Sequence, residues 1–492
     1  MTKGPVASVQ DSTDLAVQQE LQRQPLILMR LAENSLTVAE SLRGNYFKNT
    51  AKFVAALRRA VARTDPVMTI DDLRSATWDT VQGEVVTFID GGVGEVHISS
   101  QVPILLRVGS YCVKTGERHL AEREQFGYYP VILGDLEGGS KERKDFIDIV
   151  RITAELLGGL SALRRTPDLR VLMFHGPLVY HMGQYAGHTP FTERDIDLFL
   201  GQYASEERFA RDLKEDFLRE ARLDIYPQMT PRADEWWERR LFEPLSWIAY
   251  LYRRLVATAR ARDPVPIVAG VVERSASRTF SEKVLLERVF KGLRRTGMID
   301  YFNEMYGRRD LRTPKALLDR LGYTDTLLLS MVLHPGEMAE PWEMREKFGG
   351  LREGAVALPG EAATSNVDFS VLKSHEFGFP AVAGTYVKIS GTTEPIRVEV
   401  FQDLGGDQIL EAARRAYLYA RLLPGYGFPV GLDIVDKFAK VPAWMTDAYG
   451  KLIRLQLGVS LQEGEINDAM MREILVQAIY MTHRDWLFRP KA

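Results

Sequence analysis

Glu84-Val85-Val86-Thr87-Phe88-Ile89-Asp90-Gly91-Gly92 sets the reading of the whole chain. An apolar, β-branched run closed by two glycines is the pattern of a buried core strand. A carboxylate at its C-terminal edge must face a cleft, a partner or a cation, because burying it unpaired costs several kcal/mol. Alone, such a residue more often is solvated or caps a turn. The flanking pattern gives it a context. Strand-like runs follow at 102–114 and 128–133, a helical run covers about 142–163, and 170–179 returns to a strand whose core is Val171-Leu172-Met173-Phe174. Three strands, a helix and a return strand make an α/β unit, with the return strand parallel to a neighbour.

Outward from this unit, residues 1–80 show helical periodicity through Leu26-Ile27-Leu28, Leu31 and Leu36 and again through Phe53, Leu57 and Val61, and read as an N-terminal helical arm. The α/β core begins at 81 and runs to 189. A charged helical insertion follows over 190–263, with Trp236-Trp237 and the basic stretch Arg253-Arg254 to Arg260 and Arg262. Pro266–Val272 brings the sheet back, and the second part of the core is expected over 264–440. Within it, helices are expected at 282–295 and 313–321, strands at 325–333, 381–390 and 395–402, and a Gly/Ala/Pro-rich surface loop at 351–368. A helical region closes the chain at 441–492. The fold class expected is α/β, a mixed sheet flanked by helices.

Composition narrows the function classes. With 63 Lys+Arg against 66 Asp+Glu and a net charge of −3, no global field draws the chain to nucleic acid or anionic lipid, so any such binding must be local. The single Cys112 excludes an internal disulfide framework and a cysteine-based zinc site, which fits a reducing cytoplasm. No apolar run approaches the ~18 residues of a membrane span, and the N-terminus is too polar for a signal peptide.

Several residues carry candidate chemistry, each beside a plainer explanation. His175 ends the strand run and is followed by Gly176-Pro177-Leu178, so it shares the strand-end position of Asp90; strand ends of an open α/β sheet converge on one crevice. Glu155 shares the polar side of its helix with Asp148 and Arg151 and is either solvated or directed along the sheet edge. Asp433 and Asp436 start a helix after Gly425-Tyr426-Gly427-Phe428-Pro429, where Asp433 can pair with Lys437 and Asp436 with Lys440 at i,i+4; that pairing suffices for Asp433, while Asp436, against Val435 and Phe438 on the partly buried side, is the better functional candidate. A zinc site of His175, His181 and His188 is disfavoured by spacings that match neither a helix nor a strand face. Gly134–Lys141 lacks the Gly-Lys-Ser/Thr order of a phosphate loop.

In order and spacing, these pieces resemble the NurA nuclease family, partners of the HerA hexameric translocase. The matching stretches are Phe88–Gly92, the helix of Glu155, Phe174–Leu178, Ala269–Ser275, Tyr386-Val387-Lys388, Ile396–Glu399 and Gly425–Pro429 leading to Asp436. The resemblance implies a fold similar to ribonuclease H, manganese or magnesium held by acidic residues and a histidine, DNA as substrate, a HerA-type ATPase as partner and a homodimer. It places the metal ligands at Asp90, Glu155, His175 and Asp436, and DNA contacts at Arg274, Lys388 and Arg397, although Arg397 has Glu399 on its own strand face as an alternative partner. Three positions depart from the family pattern: its second strand-end acid falls at His175, its C-terminal histidine at Asp436, and its Gly-Val-Val lysine at Glu273. Two readings follow. Either the site has decayed and the chain is an inactive subunit that docks on the motor, or aspartate and histidine have exchanged seats and the donor set of three carboxylates and one imidazole is conserved in kind.

Overall fold

A computed structural model describes residues 26–63, 71–96, 104–119, 124–128, 131–133, 140–179, 191–201, 207–220, 240–242, 244–307, 311–344, 355–357, 366–368, 380–462 and 468–480, with a few isolated positions besides. Its centre is a mixed sheet. The strands that position the site are β1 (Val85–Glu95), β2 (Ile104–Lys114), β3 (Glu124–Tyr128), β4 (Leu169–His175), β5 (Ile267–Val272), β6 (Val382–Val387) and β7 (Ile396–Phe401), in the spatial order β6-β7-β5-β4-β1-β2-β3. β1 pairs antiparallel with β2, with Asp90 opposite Gly109, and parallel with β4 as far as Ile89 opposite Phe174. β4 and β5 are parallel, and β5–β7 and β7–β6 antiparallel.

Helices cover both faces. On one, Ser140–Arg165 lays Ile149, Val150, Leu156, Leu157, Leu160 and Leu163 into the core. Gly159 has no side chain where the ring of Phe174 sits, which lets this helix close on the strands. The helix Pro244–Arg260 lies against it, burying Trp247, Ile248, Tyr250, Leu251 and Leu255 completely. Arg262, from the basic stretch, donates to the carbonyls of Leu163 (2.9 Å) and Thr166 (2.8 Å), satisfying acceptors at the end of the first helix. On the opposite face, Gln408–Ala420 and Val430–Ala439 pack over Val86, Phe88 and Val398, with the Phe88 ring stacked on Tyr111 and edge-on to Tyr419, both at 6.0 Å.

Three expectations change. Strand β1 continues to Glu95 rather than stopping at Asp90, because its antiparallel pairing with β2 carries on after β4 ends. Residues 325–332 form a helix, not a strand, started by Thr324, whose hydroxyl accepts from the Leu327 amide at 3.2 Å. Within 351–368, Ala355–Ala357 pairs antiparallel with Asn366–Asp368. Trp236-Trp237, His181, His188 and Gly134–Gly139 lie outside the described residues.

The chain divides into two compact units. The larger, 69–280 with 323–492, holds the sheet. The smaller joins 1–68 to 281–322, so the helices expected in the second part of the core group with the N-terminal ones. In it, Lys48–Arg63 buries Thr50, Phe53, Val54, Ala56, Leu57 and Ala60, and Gly292 of Glu287–Arg295 lets that helix approach Ala60.

Candidate metal centre

Asp90 sits on β1 where β4 has ended, 5% exposed, on the sheet face that Phe88 shares. Glu155, 4% exposed, comes from the opposite face. The two meet across Gly91. A Cβ at that position would lie 2.7 Å from Glu155 Oε1 and 3.0 Å from Arg151 Cγ, so a side chain there would have to displace the carboxylate. The Gly91 amide donates to Asp90 Oδ1 at 2.9 Å and also favours the charged form of Glu155.

His175, last in β4, brings Nδ1 to 3.8 Å from Asp90 Oδ1. Its ring stands edge-on to Phe428, centroids 5.4 Å apart, which fixes its plane. Asp436 lies on the helix Val430–Ala439, which Gly92 allows to press its C-terminal end onto β1. The carboxylate of Asp436 accepts from Lys440 Nζ at 2.6 Å, as Asp433 does from Lys437 at 2.6 Å.

The electrostatics tie the four together. Burial first, then the negative charges of Glu155 and Asp436, push Asp90 up to about 8. Burial likewise raises Glu155, opposed by Arg151, whose Nη1 lies 2.8 Å from Glu155 Oε1. Burial lowers His175, opposed by the charges of Asp436 and Glu273, so its imidazole is neutral and carries a free lone pair at neutral pH. Among the described residues no three of His, Cys, Asp and Glu are gathered closely enough to enclose an ion. The reason is visible: Glu155 is drawn to Arg151 and Asp436 to Lys440. Both pairs follow the i,i+4 spacing legible in the sequence, Arg151 with Glu155 and Asp436 with Lys440.

The expected DNA contacts divide. Arg397 is 6% exposed, bonded to Glu399 Oε1 (2.8 Å) and Ser275 Oγ (2.7 Å). Lys388 is 3% exposed, and its Nζ donates to the Thr393 carbonyl at 2.5 Å. Both are turned inward, Arg397 from β7 and Lys388 from just after the end of β6, because a buried cation is stable only when its donors are satisfied there. Glu399 also accepts from the Leu178 amide at 2.9 Å, so this ion pair fixes the turn after His175. Arg274 alone stays open, its side chain 88% exposed beside Glu273. It lines a groove of about 490 Å³ with Glu273, Glu394, Tyr426 and Phe428.

The fold is thus a mixed α/β sheet that brings a strand-end carboxylate and a strand-end imidazole to one edge, with carboxylates of two helices close enough to act on them electrostatically. The NurA domain model matches residues 84–441, well over half of the 492, and the chain belongs to the NurA family. Solved structures give matches at low identity. The NurA nuclease from Sulfolobus solfataricus is 13% identical, with a TM-score of 0.45 over 88% of this chain and 98% of that one. A structure described as NurA with manganese is 12% identical, with a TM-score of 0.37 over 81% and 96%. A third, NurA bound to dAMP and manganese, is 13% identical, with a TM-score of 0.34 over 86% and 94%. No curated protein matches the chain. Among the described residues no helix is long and apolar enough to cross a membrane.

Proposed function

We propose that the protein is a DNA nuclease that hydrolyses phosphodiester bonds with Mn2+ or Mg2+, on a ribonuclease H-like sheet whose order β3-β2-β1-β4 supports that assignment. The observation that supports it is the electrostatic coupling of Asp90 to Glu155 and Asp436 and of His175 to Asp436, with His175 Nδ1 3.8 Å from Asp90 Oδ1, among side chains spread over 90–436. The residues fit a divalent cation: a buried carboxyl pushed up to about 8 by burial and two further carboxylates is in the condition such an ion relieves. Asp90, Glu155, His175 and Asp436 are the residues that would hold it. When bound, the ion polarises the phosphodiester and makes hydroxide available near neutral pH. His175 offers a neutral nitrogen, held in plane by Phe428. Arg151 and Lys440 bring positive charge to the phosphate, and Arg274 holds the strand at the groove. Glu273 weakens that grip locally.

The protein works as a homodimer on a HerA-type hexameric ATPase in the cytoplasm, in DNA end processing or in defence against foreign DNA. The test is Mn2+-dependent degradation of linear DNA by the parent and by Asp90→Asn, with folding checked by circular dichroism. Loss in the variant supports the reading; equal activity refutes it. The grip of Arg151 and Lys440 on two of the carboxylates favours one alternative, an inactive NurA-like subunit that docks on the motor. That alternative requires no cleavage by the parent in any divalent metal.

A further inference from the structure

A chain of net charge −3 carries its positive charge unevenly once it is folded. Over 27–63, 281–307 and 311–322, the described stretches of the smaller unit hold 15 Lys+Arg against 7 Asp+Glu, whereas the whole chain holds 63 against 66. The helix Lys48–Arg63 concentrates this: it has five cations and no carboxylate. Lys48, Lys52, Arg59 and Arg63 fall at helical offsets of 0, 4, 11 and 15, which places them within about 60° of one another on a stripe roughly 22 Å long. All four are exposed, opposite the buried face of Phe53, Val54, Leu57 and Ala60. Lys52 is steadied over the Tyr301 ring at 4.4 Å, with its Nζ 3.2 Å from the hydroxyl. Against the same helix packs Glu287–Arg295, whose exposed Lys291, Arg294 and Arg295 extend the positive field.

We infer that this stripe is a sequence-independent contact surface for the phosphate backbone of DNA, separate from the residues that hold the metal. The inference rests on the nuclease reading above for the nature of the polymer. Charge complementarity selects it: a duplex presents about one negative charge per 1.7 Å, and a row of cations on one helix face matches such a polyanion without reading bases. A lipid surface is the poorer fit. Such helices bind membranes by inserting large apolar side chains, and the uncharged exposed positions on this helix include only Ala51, Ala55 and Ala62.

The test neutralises the stripe in the full chain as Lys48→Gln, Lys52→Gln, Arg59→Gln and Arg63→Gln together, all surface positions. A control neutralises Arg194, Arg211, Lys451 and Arg472 of the larger unit. Binding of a fluorescent 30-base-pair duplex is measured from 50 to 200 mM salt, and cleavage of bis(p-nitrophenyl) phosphate with Mn2+ is followed in parallel. The stripe variant should bind at least about tenfold more weakly, with the log–log salt slope reduced by about three, while cleavage of the small diester is unchanged. Unchanged duplex affinity, an equal loss in the control, or a loss confined to phosphatidylserine vesicles overturns the inference. If the parent cleaves neither substrate, the catalytic reading fails while the binding comparison still decides this one.

Discussion

Replacing Asp90 by asparagine removes one charge from the centre and keeps its shape, and the consequence depends on pH. In the metal-free fold Asp90 is raised from 3.8 to about 8. Between those values the folded protein holds a proton that the unfolded chain has lost, so stability falls as pH rises through that window, by up to about 1.4 kcal/mol per pH unit. The larger unit has roughly 380 residues; at about 2.1 cal/mol/K of unfolding entropy per residue, that slope is a fall in Tm of about 1–2 °C per unit. Asp90→Asn should flatten it and, in EDTA, melt several degrees above the parent at pH 8. With Mn2+ the order reverses. Metal displaces the proton from the parent and stabilises it increasingly as pH rises, whereas the variant lacks the charge that holds the ion. Calorimetric melts from pH 5 to 8.5, in EDTA and in Mn2+, provide both comparisons. Parallel profiles for the two proteins in EDTA, or an equal Mn2+ shift in both, would refute the reasoning.

Three further outcomes are expected. His175→Asp or Asp436→His alone should lower Mn2+-dependent DNA degradation by about 100-fold, whereas the two together restore the donor set and most of the activity; a double variant as inactive as the singles counts against the exchange. Glu399→Gln leaves the buried Arg397 guanidinium without its counter-charge, and urea unfolding should show about 3–5 kcal/mol of destabilisation, while a loss under about 1 kcal/mol would mean the pair is dispensable. Gly91→Ala puts a methyl against the Glu155 carboxylate and should cost about 1–3 kcal/mol together with weakened Mn2+ binding in calorimetric titration; unchanged metal affinity would separate Gly91 from the centre.

The elements that local pattern determines were legible in the chain. The runs at 85–89, 171–174 and 267–272 are apolar enough to be interior strands, and the helix after Ser140 shows its stripe directly. The run around Leu327-Leu328-Leu329 was not, because a short apolar stretch fits a strand or a buried helix equally, and Thr324 as a cap decides it. Asp90 and His175 were readable as strand ends, but their meeting with Asp436 follows from topology and came only from the order of the family motifs. The Arg397–Glu399 pair was legible from their spacing on one strand face, whereas Ser275 across the sheet and the Thr393 carbonyl, which complete the donors of Arg397 and Lys388, are set by tertiary contact. The basic stripe was legible within one helix, since Lys48, Lys52, Arg59 and Arg63 recur at helical spacing opposite Phe53 and Leu57. What the fold adds is Lys291, Arg294 and Arg295 on the helix Glu287–Arg295 packed against it.

The centre draws one side chain from position 90 and another from position 436 of 492 residues, with Gly92 receiving the helix that carries the second. On the nuclease reading, any product that ends before the helix Val430–Ala439 would carry the strand-end acid without its distant counterpart and should be unable to complete the centre.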